Sequence, residues 1–470
     1  MMPGVSLDAR LLATPLNVVV LAAGLGKRMR SALPKVLHPL AGRPVVAYVI
    51  DAARTLSPRA IAVVVGHGAD AVRAAVDAPD ITFVLQDPPR GTGDAVRVAL
   101  SELPTDGATL VMIGDIPLVP AASLGELAVQ ALAGKLAVLT AKVTDPTGLG
   151  RIVRDAAGRV RAIVEERDAT EIQRSIREIN TGVMAAPTAL LKRWVEALKP
   201  ENAQGEYYVT DIVATAVADG VPVVAEVASD ERDVRGVNDR AQLAALERIV
   251  QERHAGALMR EGVLISDPAR IDIRGELVCG RDVLIDVGCV FEGEVSLEDN
   301  VSVGPYCVLR NVRVGAGTRI EPYSYVVDAT VGAQCRIGPY ARLRPGTTLE
   351  DEVHVGNFVE VKASTLGRGT KANHLAYIGD ASLGAGTNYG AGSITANYDG
   401  ANKHRTVIGD RASIGSNCVL VAPVTVGAGA TIGAGSVITQ NAPPGALTVA
   451  RARQVTVDGW QRPAKDKDKG

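Results

Sequence analysis

Residues 407–438 read VIGDRASIGSNCVLVAPVTVGAGATIGAGSVI, and this stretch decides the fold of the second half of the chain. An aliphatic residue followed by glycine stands at Ile408, Ile414, Val426 and Ile432. The same pair recurs upstream at Val303, Val314, Val331, Ile337, Val355, Leu366, Ile378 and Leu383. Every interval along the series lies within one residue of a multiple of six. No helix has that period, and simple hairpins would not keep it. Six-residue repeats signal a parallel β-helix, in which each hexapeptide supplies one short strand and one turn. The aliphatic side chain points inward and the small residue permits the turn. With three faces a coil takes about 18 residues, so residues 264–440 predict about ten coils stacked ~4.8 Å apart. The long step between Leu383 and Ile408 holds a polar insertion, SITANYDGANKHRT, with Asn397, Tyr398, Asn402, Lys403 and His404. Such an insertion typically leaves the prism and meets a ligand or a neighbour.

Residues 17 to about 240 have a different rhythm. NVVVLA at 17–22, AIAVVV at 60–65, TLVMI at 109–113 and KLAVLT at 135–140 read as buried strands. Segments between them, such as 44–55 and 92–103, carry apolar residues at three-to-four spacing. Strands alternating with helices predict βαβ units and a mostly parallel sheet. Residues 240–262 read as one connecting helix, with Leu243, Leu246, Val250 and Leu258 as its stripe, Asn238-Asp239 at its start and Gly262 as its stop. The organisation expected is an arm (1–16), an α/β domain (17–239), the helix (240–262), a β-helix (263–450) and a polar tail (451–470) ending in disordered KDKDKG.

Composition removes other classes. The chain has 470 residues, 47% of them hydrophobic, and a formal charge of −2, so it can bury a core and lacks the basic excess of a nucleic-acid binder. Aromatic residues make up 3%, too few for base-stacking platforms. The longest early apolar run, near Val18–Leu25, is too short to cross a membrane and lacks a signal peptide's basic flank. Cys279, Cys289, Cys307, Cys335 and Cys418 form no zinc-type spacing and read as buried free thiols of a cytoplasmic protein.

The chemistry-bearing residues lie in both halves. LAAGLGKRM at 21–29 is a glycine-rich turn after the first strand, where Gly24 and Gly26 let backbone N–H groups face an anion. It is neither a Walker loop nor the dinucleotide fingerprint. Pro34-Lys35 could bring an ammonium to the same phosphates. Asp115 ends a strand at the sheet edge where open α/β folds bind ligands, which makes Mg²⁺ ligation plausible. Within the repeats, Arg344, Glu360, Lys362, His374, Tyr377, Asn388, Asn397 and Tyr398 break the aliphatic pattern within a few coils. Lys362 and His374 are 12 residues apart, which puts them on different faces of one prism. Adjacent prisms of a trimer could bring such faces together.

The ordered motifs LAAGLGKRM, PK, GTGDA, GD, VEE and INTG resemble the sugar-1-phosphate nucleotidyltransferases. NFVEVK, KANHLAYIGD and NYDGANK narrow the resemblance to the bacterial bifunctional N-acetylglucosamine-1-phosphate uridyltransferases and glucosamine-1-phosphate acetyltransferases, over residues 17 to about 455. The fold this implies is an α/β Rossmann-like nucleotidyltransferase domain followed by a left-handed parallel β-helix of hexapeptide repeats. The resemblance also implies a uridyltransferase site. Leu21, Ala22, Ala23 and Gly24 form its nucleotide loop, with Arg28 and Lys35 on the phosphates. Gln86, Gly91 and Thr92 read uracil. Ile113 and Gly114 adjoin Asp115, and Gly150, Glu165 and Asn180 hold the sugar. Asp115 and Asn238 hold Mg²⁺. Ile113 replaces a frequent Tyr, and Asp94 replaces another polar residue, with modest effects expected on binding.

For acetyl transfer the resemblance makes His374 the base that deprotonates the sugar amine, oriented by Glu360. Imidazole suits that task because it titrates near neutrality. Arg344 and Lys362 would take the sugar phosphate, and Tyr377, Asn388, Asn397 and Tyr398 would contact sugar or acetyl group. Ala391, Ser416, Ala434 and Arg451 would line the acetyl-CoA groove with Asn397 and Tyr398. Lys403 would reach a neighbouring subunit's site in a homotrimer built through the β-helix. His38, His67, His254, His354 and His404 read as loop or surface residues. The substrates implied are UTP, acetyl-CoA, glucosamine 1-phosphate and N-acetylglucosamine 1-phosphate, with no nucleic-acid or membrane partner. Two rivals share the architecture: a nucleotidyltransferase with a regulatory β-helix, as in ADP-glucose pyrophosphorylases, and a non-catalytic exchange-factor subunit. His374, Lys362 and NYDGANK weigh against the first, and Lys35, Asp115 and Asn238 against the second.

Overall fold

Alternation of buried side chains builds the first half. In the computed structural model, which describes residues 15–464, the chain divides into two units, residues 1–250 and 251–470. The first unit's principal strands are β1 (Leu16–Leu21), β2 (Ala60–Val65), β3 (Ile81–Leu85), β4 (Ala108–Ile113), β5 (Leu136–Lys142), β6 (Glu178–Pro187) and β7 (Val223–Val227). They lie in the order β7-β5-β6-β4-β1-β2-β3. Successive strand residues face opposite sides of a sheet. Val18 and Val20 therefore enter one apolar cluster with Val46, Val49 and Ile50 of the helix Val45–Arg54, while Val19 and Leu21 enter another with Val96, Ala99 and Leu100 of the helix Thr92–Ser101. A sheet covered on both faces needs unbroken apolar strands, which is why NVVVLA shows no alternation.

The sheet is parallel except for β6, which runs antiparallel to β4 and β5 and was not foreseen. The antiparallel hairpin Arg151–Arg154/Val160–Val164 was not foreseen either. The chain proceeds from β1 through β2 to β3, then returns to place β4 on the other side of β1. The carboxyl ends of β1 and β4 thus flank a topological switch point, where α/β sheets open a crevice. The first strand begins at Leu16, one residue inside the expected arm, and Pro15 already accepts a hydrogen bond from Ala108. The rest of that arm and the terminal KDKDKG lie outside the described residues.

A helix spans Arg240–Arg260. In the first unit, Leu246, Ile249 and Val250 join the small core around Met29, Leu40 and Val45. In the second unit, Gln251 caps the first coil, donating to Ile273 O and accepting from Ile273 N.

The second unit is a parallel β-helix. One file of eleven short strands runs from Leu264–Ile265 to Leu447–Thr448. Its inward residues stack in register as Val303, Ile320, Ile337, Val355, Ala372, Tyr389, Ile414 and Ile432. The other two faces begin as continuous bent strands, such as Tyr325–Val331. Above that strand they divide into two files, one through Arg342–Leu343 and Glu360–Lys362, the other through Thr347–Leu349 and Thr365–Leu366. The prism is therefore three-sided.

Its corners require positive φ. One corner runs through Gly288, Tyr306, Tyr323, Tyr340, Phe358, Leu375, Gly392, Asn417 and Gly435. A non-glycine residue in this region costs on the order of 1–2 kcal/mol. Four of these side chains offset that cost by stacking face to face, with centroids 5.4, 4.9 and 5.3 Å apart along Tyr306, Tyr323, Tyr340 and Phe358. Such pairs contribute roughly 0.5–1.5 kcal/mol each.

Candidate functional sites

At the switch point, Gly114 N donates to Leu21 O at 2.9 Å. A Cβ on Gly114 would lie 2.8 Å from that carbonyl oxygen, so glycine permits the close approach of the two strand ends. The loop Ala22-Ala23-Gly24 leaves β1 here, and Gly24 has open space around it. Gly26 turns the chain with φ of 58°, and a Cβ there would strike Lys35 Cβ at 2.7 Å, so Lys35 sits tightly beneath the loop.

Four predicted residues converge around this loop. Lys35 Nζ donates to the Asp115 carboxylate and, at 3.5 Å, to Asn238 Oδ1. Arg28 donates to the same Asn238 oxygen at 2.8 Å. Val237 N donates to Asp115 O, and Asn238 N donates to Gln242 Oε1, so the segment before the helix is tied to the end of β4. Asp115 and Asn238 supply hard oxygen donors, the type Mg²⁺ takes when it is also bound by substrate phosphates and water. Among the described residues there is no group of three or more His, Cys, Asp or Glu that would hold a metal by itself.

The sugar-site candidates also come together. Asn180 N donates to Gly150 O at 2.8 Å, and Asn180 Oδ1 accepts from Gly182 N at 3.0 Å. Glu165 accepts from Thr210 Oγ1 at 3.2 Å and lies 3.3 Å from where a Gly150 Cβ would stand. A cleft of about 620 Å³ joins Asp115 and Asn238 to Asn180, with Asp145, Leu149 and Gln242 among its other walls. Gln242 is a lining residue that sequence reading missed; its position four residues after Asn238 was the available signal. Ile113 is half-buried and packs beneath Gly182 rather than opening into the cleft.

Burial raises the pKa of Glu165 above the usual carboxyl range, and Asp211 and Asp168 add to the rise. The folded state then holds this proton at pH values where the unfolded chain has released it. Stability contributed by the protonated group is present below the ordinary glutamate pKa and lost as pH rises through the higher folded value. Glu165→Gln is expected to raise the melting temperature by about 1–3 °C at pH 8 and to leave it nearly unchanged at pH 4. A fall at pH 8 would contradict this assignment.

The base-reading candidates form a third group. Gly91 adopts φ of 110°, and a Cβ there would lie 2.6 Å from Tyr207 O. Gly93 N donates to Tyr207 O, Tyr207 N donates to Arg90 O, and Val209 N donates to Thr92 Oγ1. The Thr92 hydroxyl is thus engaged in holding the 207–209 segment. Gln86, buried, donates through Nε2 to Gly91 O at 3.0 Å and to Asp94 Oδ2 at 2.9 Å.

In the second unit, one outward column carries His374. Asn357, His374, Ala391, Ser416 and Ala434 each stand one residue before the aromatic corner in successive coils. Asn357 and His374 are in register, Asn417 N donates to Ala391 O, and Gly435 N donates to Ser416 O. Arg451 closes the column by donating to Ala434 O at 2.6 Å. The exposed His374 places Nδ1 2.8 Å from Asn357 Oδ1. An amide oxygen only accepts, so Nδ1 carries the hydrogen, and in the neutral ring the lone pair is then on Nε2.

Glu360 does not orient His374 within the chain. It lies on another face, in register with Arg342 and Tyr377, and accepts from Arg344 at 2.8 Å and Arg342 at 3.3 Å. Within the chain it is Asn357, absent from the sequence-based set, that contacts the His374 ring. A second cluster gathers on the Glu360 side. Lys362 lies 3.8 Å from Asp380, and Asn397 Nδ2 donates to Asp380 and, at 3.5 Å, to Tyr377 Oη. Lys403 lies beside Lys362, whose side-chain hydrogen bond and charge lower its pKa. The insertion is ordered: Asp399 accepts from Ala401 N, Asn402 N and His404, and Tyr398 bridges to Lys403. Asn388 and Tyr398 remain exposed.

Of the five other histidines, His67 is exposed, His254, His354 and His404 are half-buried, and His38 is buried in the bend that follows the turn Lys35–Leu37. Four cysteines are buried and Cys279 is half-buried, with no disulfide among the described residues. Burial pushes the Cys289 thiol up to about 11 and the Cys279 and Cys307 thiols up to about 12.

The family model for MobA-like NTP transferase domains matches residues 18–181, which contain the loop, Lys35, Asp115 and Asn180. The GMPPB C-terminal domain model matches residues 273–371, and the bacterial transferase hexapeptide model matches residues 405–440. Bifunctional protein GlmU of Ralstonia pickettii is 57% identical over 455 residues, covering 97% of this chain and all of that protein. Its counterpart in Bordetella parapertussis is 58% identical over 455 residues, covering 96% and 99%. The Azoarcus sp. protein of the same name is 55% identical over 452 residues, covering 96% and 100%. The chain belongs to the GlmU family. As a GlmU-family member it is a bifunctional transferase, with the nucleotidyltransferase in its first unit and a left-handed hexapeptide β-helix of the acyltransferase type in its second. No helix among the described residues of this GlmU-family chain is long and apolar enough to cross a membrane.

Proposed function

We propose that the β-helix acetylates glucosamine 1-phosphate from acetyl-CoA, and that the first unit then transfers UMP from UTP to the N-acetylglucosamine 1-phosphate formed. Each unit holds its own constellation for one step, and the observation that carries the reading is the column Asn357–His374–Ala391–Ser416–Ala434–Arg451. It puts a base with a free lone pair at one end of a line of small side chains and a guanidinium at the other, about 14 Å along the prism at one strand spacing per coil. A thioester arm can lie along such a line, and arginine suits its terminal phosphates. The sugar amine attacks the thioester carbonyl carbon. The C–N bond forms, the C–S bond breaks, the amine proton goes to His374 Nε2, and His374 returns it to the departing thiolate.

In the first unit, the sugar phosphate oxygen attacks the α-phosphorus of UTP, and pyrophosphate leaves in line. No protein nucleophile is needed, so Lys35 and Arg28 act by positioning the phosphates and neutralising charge. Asp115 and Asn238 would hold Mg²⁺, which supplies further neutralisation when bound. Gly150, Glu165 and Asn180 would hold the sugar.

Lys362 and His374 stand on different faces of one prism, so a complete acetyl-transfer site would draw them from adjacent copies. A homotrimer through the β-helix supplies that arrangement, and sedimentation of the protein would then give the mass of three chains. The buried thiols suit the cytoplasm.

The test is mass spectrometry of one reaction containing protein, glucosamine 1-phosphate, acetyl-CoA, UTP and Mg²⁺. UDP-N-acetylglucosamine with free CoA and pyrophosphate is expected. N-acetylglucosamine 1-phosphate alone would remove the first unit's assigned step, and no product from folded protein would favour a non-catalytic role.

A further inference from the structure

Gln86 has two chemically opposite ends, and only one of them can read a given base edge. Two groups fix which end is held. Gly91 O and Asp94 Oδ2 both take hydrogen bonds from the Gln86 amide nitrogen, at 3.0 and 2.9 Å. Carbonyl and carboxylate oxygens only accept, so turning the amide over would set its oxygen against two acceptors. Gln86 and Asp94 are each only 5% exposed, and a buried mismatch of that kind costs far more than one in water. Asp94 is itself held: its other oxygen, Oδ1, pairs with Arg97, and the Arg97 guanidinium lies 5.4 Å from the centre of the Tyr207 ring. Tyr207 belongs to the segment that packs over Gly91 and Gly93. Gln86 Oε1 is left over, and it accepts from no group among the described residues.

We infer that Asp94, clamped by Arg97, is a positioning residue that makes Gln86 a pure acceptor and thereby selects uracil over cytosine. This rests on the reading that Gln86 faces the base of UTP. Uracil presents an N3–H donor that an amide oxygen can accept. Cytosine presents a bare N3 acceptor at the same place, so Gln86 Oε1 would oppose it. The clamp needs a carboxylate, because its two oxygens serve Arg97 and Gln86 at once. An asparagine has one acceptor oxygen. If Arg97 takes it, the asparagine NH₂ faces Gln86 and favours the reversed amide.

The experiment compares kcat/KM for UTP and CTP in the full-length protein, in Asp94→Asn, in Asp94→Ala and in Gln86→Ala, with acetyl transfer as the folding control. The ratio of UTP to CTP is expected to fall at least tenfold in Asp94→Asn. In Asp94→Ala, where only Gly91 still holds the amide, it is expected to fall about threefold. A structural role alone would lower both nucleotides together and leave the ratio in place. A ratio unchanged in both Asp94 variants but collapsed in Gln86→Ala would overturn the clamp while leaving the base reading intact. A ratio unchanged in Gln86→Ala as well would overturn both.

Discussion

Lys35→Ala is expected to lower uridyl transfer about 10²–10³-fold and to leave acetyl transfer within about twofold. The size follows from what Lys35 touches: its ammonium is shared between the Asp115 carboxylate and Asn238 Oδ1, while Arg28 reaches only Asn238 in this group. Alanine removes the one cation that meets both proposed metal ligands and leaves a largely buried carboxylate without its partner. Loss of a preorganised charge of this kind costs typically 3–4 kcal/mol in the transition state. Lys35→Met keeps the stem against Gly26 and should lose nearly as much activity with less effect on folding. Rates of both reactions, measured on protein with an unchanged melting curve, decide the matter. Loss of both activities together would sink the assignment of one step to each unit.

His374→Ala is expected to do the reverse, lowering acetyl transfer about 10²–10⁴-fold with uridyl transfer intact. His374 is exposed, and its ring is held by the single bond to Asn357, so the substitution removes a base without opening a core. Asn357→Ala should fall between wild type and His374→Ala, because the ring remains but its tautomer is no longer imposed. Near-normal acetylation by His374→Ala, followed as CoA release, would take His374 out of the role.

The period of the aliphatic-glycine pairs was enough to give the β-helix, because an inward residue such as Ile337 must be apolar in every coil. The buried strands were legible for the same reason. The antiparallel β6 was not, since its INTG segment interrupts the apolar run at a bulge between Asn180 and Met184. The corners were hidden too: tyrosine and phenylalanine rarely adopt positive φ, and only stacking across coils makes a run of them tolerable. At the sites, a resemblance of motifs pointed to Lys35, Asp115, Asn238 and His374, but not to the bond that His374 makes within the chain to Asn357. Asn357 lies 17 residues away in sequence and becomes its neighbour only when the coil closes. Asp94 stood out as a departure, yet its part in holding Gln86 needed the geometry of a buried amide.

The β-helix is also a ruler. Each outward column repeats once per coil, so removal of one whole coil below Asn357 would slide the His374 column along the axis by about 4.8 Å and leave its direction unchanged. Removal of six residues would instead turn everything above the cut by one face, pointing His374 where Arg368 now stands. The acetyl-transfer machinery is therefore indifferent to the number of coils beneath it and intolerant of any fraction of one.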